Sequence, residues 1–302
     1  VKAVAAATLA PSPSERALPS PRAVLELLKP ITWFPPMWAL ACGVVSSGTS
    51  IAANWKGFLG SVLLAGPLVC GTSQACNDWF DRHVDAINEP GRPIPSGRVP
   101  GRWGLWIALF WSALSLAVAA SLGPWVLAAS VVGLVLAWAY SAPPLRLKLN
   151  GWWGCAAVGL CYEGLPWFTG AAAMLRRLPD LRIVTLALLF SAGAFGIMVL
   201  NDFKAVEGDR AHGIRTLPVT LGVARAAAVA AGVMLVPQLV VVALHLLWGN
   251  PVAAGAVAAV SAAQAAQMPM LMKDPKKRAP LYGATGVTLY VTGMMVSAFA
   301  VR

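Results

Sequence analysis

Charge is scarce in this sequence: of 302 residues only 12% are Asp, Glu, Lys or Arg, while 58% are hydrophobic. A soluble domain of this length carries roughly a quarter of its residues charged. A soluble globular fold is therefore excluded, and an all-α polytopic membrane protein is predicted. Histidine is scarcer still, with three residues and no His-rich tract, which argues against a zinc or haem centre. The five cysteines, Cys42, Cys70, Cys76, Cys155 and Cys161, are odd in number, form no Cys-x-x-Cys and lie in or beside apolar runs. They read as small packing residues. The net charge of +11 does not indicate nucleic acid, because the basic residues cluster between apolar runs as orientation signals do.

Apolar runs, by contrast, are abundant. Nine segments, each near the ~20 residues that a spanning helix needs, are predicted at approximately 31–51, 57–77, 103–121, 124–142, 151–174, 182–202, 226–247, 251–270 and 279–300. Gly123-Pro124 and Gly249-Asn250-Pro251 mark tight corners between consecutive spans. Residues 1–22, rich in Ala, Ser and Pro, are expected to form a mobile tail, and residues 23–302 one nine-helix domain. Pro11 and Pro13 break the short apolar start, which argues against a cleaved signal peptide. With nine spans, all Lys and Arg except Lys56, Arg176, Arg177, Arg182 and Arg302 fall on the side of the N-terminal tail. The positive-inside rule makes that side cytoplasmic.

Two acidic motifs follow apolar runs on that side. In the first, Asn77-Asp78-Trp79-Phe80-Asp81-Arg82-His83-Val84-Asp85, helical spacing stacks Asn77, Asp81 and Asp85 on one face, with Asp78 joining the stripe. The second, Asn201-Asp202-Phe203-Lys204-Ala205-Val206-Glu207-Gly208-Asp209, sets Asp202 and Asp209 two helical turns apart. Carboxylates crowded at a membrane end repel one another and need positive charge. Lys204, Arg210, Arg215 and, from the loop that starts at Tyr140, Arg146 and Lys148 are on the same side. Carboxylates mixed with basic side chains suit Mg²⁺ and a phosphate-bearing substrate, because Mg²⁺ takes one or two carboxylates and completes its shell with water and phosphate oxygens. In a membrane that substrate has a lipophilic tail, which points to a prenyl diphosphate. The rival readings are a structural ion-pair network and a cation-coupled transporter. Clustering of the acids at one face disfavours transport, where such residues usually lie near the bilayer middle.

At these residues the chain resembles the UbiA-type superfamily of intramembrane prenyltransferases. Asn77, Asp78, Asp81 and Asp85 match its first motif, Asn-Asp-x-x-Asp-x-x-x-Asp, in full. The second motif departs from the common spacing: Ala205 stands four before Asp209, leaving Asp202, Glu207 and Asp209. Within the superfamily, Asp85-Ala-Ile-Asn-Glu-Pro-Gly-Arg-Pro-Ile-Pro-Ser-Gly-Arg98, Tyr140-Ser-Ala-Pro-Pro, Asn150-Gly-Trp-Trp-Gly154 and Tyr162-Glu-Gly164 are similar to the chlorophyll synthase branch. The resemblance runs from about residue 22 to the end of the sequence and implies nine transmembrane helices around a central cavity open to lipid.

The resemblance implies esterification of the propionate of bacteriochlorophyllide a with geranylgeranyl or phytyl diphosphate in a bacterial inner (intracytoplasmic) membrane. Among UbiA-type rivals, the acceptor could instead be chlorophyllide, a quinone precursor or haem; a further alternative is an inactive pigment-binding protein. Asp81, Asp85, Asp202 and Asp209 are expected to be catalytic, and with Asn77, Asp78 and Glu207 to hold Mg²⁺. Arg146, Lys148, Lys204, Arg210, Arg215 and Tyr140 are expected at the diphosphate. Glu163, about 18 Å into its span by helical rise, is expected near the bilayer middle, where an acid is functional by default. It and the deeper Trp38, Trp138 and Trp167 are candidate pigment contacts. His83, His212 and His245 are candidate axial ligands of a chlorin magnesium. Membrane lipid and other pigment-assembly proteins are candidate partners.

Overall fold

The computed structural model describes residues 18–302. Most of the expected tail, residues 1–17, lies outside the described residues; from Ser20 the chain is organised, with Ser20 capping helix α1 (Pro21–Leu27). In order follow α2 (Phe34–Ser46), α3 (Trp55–Leu63), α4 (Gly71–Asn88), α5 (Trp103–Leu122), α6 (Pro124–Ser141), α7 (Gly151–Gly159), α8 (Leu165–Leu175) and α9 (Leu181–Asp202). The short α10 (Val206–Ala211) and α11 (Leu217–Leu221) lead to α12 (Val223–Leu247), α13 (Pro251–Ala266), α14 (Met268–Lys273) and α15 (Pro275–Ala300). Among the described residues the β structure is a single parallel bridge between Asn150 and Arg215.

Every predicted apolar segment contains a helix. Six are long and apolar enough to cross a membrane by length and composition: Trp55–Asn88, Trp103–Leu122, Pro124–Ser141, Leu181–Asp202, Val223–Leu247 and Pro275–Ala300. The expected count of nine is not reached on that measure. Phe34–Ser46 has 13 residues and Pro251–Ala266 has 16, and a π turn at Leu160–Gly164 separates α7 from α8. A second π turn, Leu64–Cys70, joins α3 to α4 and contains Pro67. Proline has no N–H for the preceding carbonyl, and a widened turn accommodates the loss without ending the helix.

Small residues let these helices approach closely, as is usual where lipid supplies no hydrophobic drive between them. At the crossing of α2 and α8, a Cβ on Gly43 would lie 2.0 Å from the Trp167 carbonyl oxygen, and one on Gly170 would lie 2.4 Å from that of Leu40. The largest core cluster joins α2, α8, α9, α12 and α15 around Trp167, Phe190, Met234 and Tyr290. A second cluster packs Ala23, Leu27 and Leu28 of the N-terminal segment against Ala75, Cys76 and Val99. It ties the 89–102 loop over the end of α4, where Arg98 grips Glu26 in a two-pronged ion pair at 2.5 and 2.7 Å.

Candidate active site

The first acidic motif occupies the last turns of α4, and Asp202 is the final residue of α9. A helix C-terminus carries partial negative charge, so carboxylates are disfavoured there by the helix as well as by one another. Compensation comes from four basic side chains. Lys29 donates to Asp78 Oδ1 at 2.6 Å. Arg92 reaches Asp78 Oδ1 at 3.3 Å, Asp85 Oδ2 at 2.8 Å and Glu89 at 2.7 Å. Lys148 donates to Asp81 Oδ1, with an Arg146 nitrogen 3.9 Å from the same oxygen.

The acidic stripe is thus two adjacent rows. Asp78 and Asp85, two turns apart and buried, face Lys29 and Arg92. Asn77 and Asp81 share the neighbouring row: Asn77 Nδ2 donates to Asp81 Oδ2 at 3.0 Å and to Ser141 Oγ at 3.3 Å. At about 100° per residue, positions 78 and 81 differ by about 60°, enough to meet different partners. Lys29 and Arg146 both adopt left-handed backbone, with φ of 47° and 40°. Non-glycine residues are held there only by their surroundings. Both of these present their cations to the acidic motif.

The second motif is joined to the first through the loop after α6. Arg215 N donates to Leu149 O at 3.0 Å and Gly151 N to Arg215 O at 2.9 Å, so the segment that follows the 3-10 turn carrying Lys148 lies beside the one that follows α10. Thr216 Oγ1 donates to Asp209 Oδ2 at 3.2 Å, and Cys155 Sγ donates to Asp202 Oδ2 at 3.8 Å. Burial pushes the Asp209 carboxyl above the ordinary aspartate range, against the opposing effects of the Thr216 hydrogen bond and His212. Asn77 and Asn201, each preceding the first aspartate of its motif, line one open cavity of about 970 Å³ together with Tyr140 and Gln74. A mainly apolar cavity of about 540 Å³ adjoins it and shares Ser73, Ala137, Cys161 and Tyr162. Tyr162, which accepts from Gln74 Nε2 at 3.1 Å, stands at the junction. The result is a polar mouth between the two motifs and an apolar recess behind it.

Not every expected site residue is brought here. Glu207 is turned outward: its carboxylate pairs with Lys276, a hydrogen bond that holds it below the ordinary range, and its side chain is 74% exposed. Arg210 and Arg215 are exposed, and Lys204 lines a separate cavity with Lys276. Glu163 is buried in the π turn Leu160–Gly164, which packs against α2 and α9, and it lines neither site cavity. Trp167 is fully buried, donating to Ser46 Oγ at 2.8 Å and stacked on Phe190. Trp38 donates to the Val291 carbonyl at 3.1 Å and Trp138 to Ser112 Oγ at 3.0 Å. Each of these three indoles bonds to a neighbouring helix, and none of the four expected pigment contacts lines either site cavity. His245 is buried edge-on to Trp248, while His83 and His212 are exposed near the acidic motifs.

Lys29, Arg92, Gln74, Tyr162 and Thr216 were not singled out from the sequence as site residues. For Arg92 a signal exists: it stands seven residues after Asp85 in a loop stiffened by Pro90, Pro93 and Pro95.

Among the described residues, no three His, Cys, Asp or Glu side chains are grouped to cage a metal ion. The donors are hard oxygens, and Asp78 Oδ2 is buried with no hydrogen-bond partner. That set fits Mg²⁺ held by few protein ligands and completed by water and phosphate oxygens, and fits poorly a metal that needs its whole shell from the protein.

A helical membrane bundle with paired acidic motifs around a polar mouth defines the class, and comparison with known proteins agrees. Residues 32–292 match the model of the UbiA prenyltransferase family, and the chain belongs to that family. It is 58% identical over 287 residues to the bacteriochlorophyll synthase 33 kDa chain of Cereibacter sphaeroides, covering 95% of each chain. It is 54% identical over 294 residues to the protein of the same name in Rhodobacter capsulatus, covering 96% of this chain and 97% of that one. A UbiA homologue from Archaeoglobus fulgidus, solved with GPP and Mg²⁺ bound, shares the fold with a TM-score of 0.69 at 19% identity, over 90% of this chain and 99% of that one. The chain is a multi-pass membrane prenyltransferase, and the transporter reading falls away.

Proposed function

We propose that this enzyme esterifies the propionate of bacteriochlorophyllide a with geranylgeranyl or phytyl diphosphate and releases diphosphate. The observation that carries the reading is the joined cavity, with Asn77, Asn201 and Tyr140 at a polar mouth and an apolar recess beyond Tyr162. A prenyl diphosphate has that same division into charged head and hydrocarbon tail. The names of the relatives that are 58% and 54% identical over nearly the whole chain support the pigment acceptor.

The acceptor carboxylate is ionised at neutral pH, so no strong general base is needed. One of its oxygens forms a bond to the allylic carbon as the bond from that carbon to the diphosphate oxygen breaks, and the diphosphate leaves with the electron pair. Lys148 and Arg146, already directed at Asp81, and the Tyr140 hydroxyl bind phosphate oxygens and orient the head. Asp78, Asp81, Asp85, Asp202 and Asp209, with Asn77, are the residues that would hold Mg²⁺. Held by these residues, Mg²⁺ would supply charge neutralisation to the departing diphosphate. The apolar recess keeps water from the reacting carbon. The basic-rich side carrying both motifs faces the cytoplasm of a bacterial inner (intracytoplasmic) membrane, by the positive-inside rule.

The test is esterification by purified protein given labelled geranylgeranyl diphosphate and either bacteriochlorophyllide a, chlorophyllide, a quinone precursor or haem, with Mg²⁺ or with EDTA. Magnesium-dependent product with bacteriochlorophyllide as the preferred acceptor supports the proposal. Preference for a quinone precursor or haem, or undiminished product in EDTA, contradicts it.

A further inference from the structure

Beside the headgroup mouth lies a cavity that the proposed reaction does not use. It has a volume of about 660 Å³ and opens between the end of α9 and the start of α15. Its surface is divided: Lys204 and Lys276 contribute ammonium groups, while Ile197, Leu200, Gly283 and Val287 are aliphatic or bare backbone, and no carboxylate lines it. Asn201 belongs both to this cavity and to the mouth. Lys276 is paired with the exposed Glu207, and Lys204 makes no ion pair among the described residues. Lys273, Lys277 and Arg278 add positive charge at the same corner of the sequence, opposed there by Asp274. Ammonium groups at the end of membrane helices, over an aliphatic slot, match a molecule with one phosphate at the surface and an acyl chain below it.

We infer that the cleft between α9 and α15 is a binding site for an anionic phospholipid, its phosphate between Lys204 and Lys276 and an acyl chain along Leu200, Gly283 and Val287. The assignment is independent of which acceptor the enzyme esterifies. Bound lipid would bear directly on the end of α9, where Asn201 and Asp202 border the mouth.

Gly283 separates the contribution of the slot from that of the charge. A Cβ built there meets no atom within 4 Å, so Gly283→Leu fills the slot without clashing at its first carbon and leaves both lysines in place. The experiment follows the thermal midpoint of the purified full chain in neutral detergent during titration with phosphatidylglycerol, phosphatidylcholine or inorganic phosphate. Phosphatidylglycerol is expected to raise the midpoint saturably, and the other two are not. Gly283→Leu and Lys276→Glu are each expected to raise the half-saturating phosphatidylglycerol concentration at least ten-fold. Equal effects of phosphatidylcholine or free phosphate, or a wild-type phosphatidylglycerol titration in either variant, would overturn the assignment.

Discussion

The backbone of Gly151 donates to the carbonyl of Arg215 at 2.9 Å. This contact lays the segment that follows Lys148 against the segment that precedes Thr216. Lys148 holds Asp81, and Thr216 holds Asp209 at 3.2 Å. The two acidic motifs, remote in sequence, thereby border one cavity.

Arg92 contacts Asp78, Asp85 and Glu89 and is the only ion-pair partner of Asp85 among the described residues. Arg92→Ala leaves that buried carboxylate unpaired. Breaking a buried pair costs roughly 3–5 kcal/mol, and partial exposure of Arg92 together with Lys29 remaining on Asp78 reduces this to about 2 kcal/mol. The thermal midpoint in detergent is expected to fall by several degrees, and Arg92→Lys to recover part of the loss. An unchanged midpoint in Arg92→Ala would show that the pairs are not structural.

Gly133 lines the apolar recess, and a Cβ there would lie 3.6 Å from Leu165 Cδ1 and 3.7 Å from Val69 Cγ1. A methyl group fits at those distances, whereas a larger side chain occupies the recess itself. Gly133→Leu is expected to raise KM for geranylgeranyl diphosphate at least ten-fold and to leave that for geranyl diphosphate within about three-fold; removing a few methylene contacts at about 0.8 kcal/mol each gives this scale. Parallel donor titrations measure the split, and equal losses for both donors would put the tail elsewhere.

Glu163 carries an unpartnered Oε2 within the core, away from both site cavities. Glu163→Gln keeps the volume and is expected to retain pigment binding and kcat/KM within about two-fold. Loss of pigment binding, read as a lost absorption shift on mixing with bacteriochlorophyllide, would return Glu163 to the acceptor site.

Local patterns carried much of this into the sequence. Apolar runs of membrane length became helices, and Asn77 to Asp85 stood out because helical spacing groups charges that repel. Partners set by tertiary structure were not legible. Lys29 reaches Asp78 only because the N-terminal segment folds back against α4, and Arg92 only because the proline-rich loop closes over it. Trp38, Trp138 and Trp167 illustrate the converse. An aromatic deep in an apolar run has the same pattern whether it faces a cavity or a neighbouring helix, and here their indole N–H groups meet Val291, Ser112 and Ser46 on other helices. Glu207 fitted the acidic motif by position, yet the short α10 turns it outward to Lys276.

A double-mutant cycle on purified protein tests directly whether Asp81 and Asp202 act on one bound headgroup. Asp81→Asn and Asp202→Asn are each expected to lower kcat/KM for esterification by about 10²-fold, the scale of losing one electrostatic contact in a transition state. Residues that act as a unit are not additive, so the double variant is expected to be little worse than either single one. Losses that multiply to about 10⁴-fold, or near-normal activity in either single variant, would contradict a shared site.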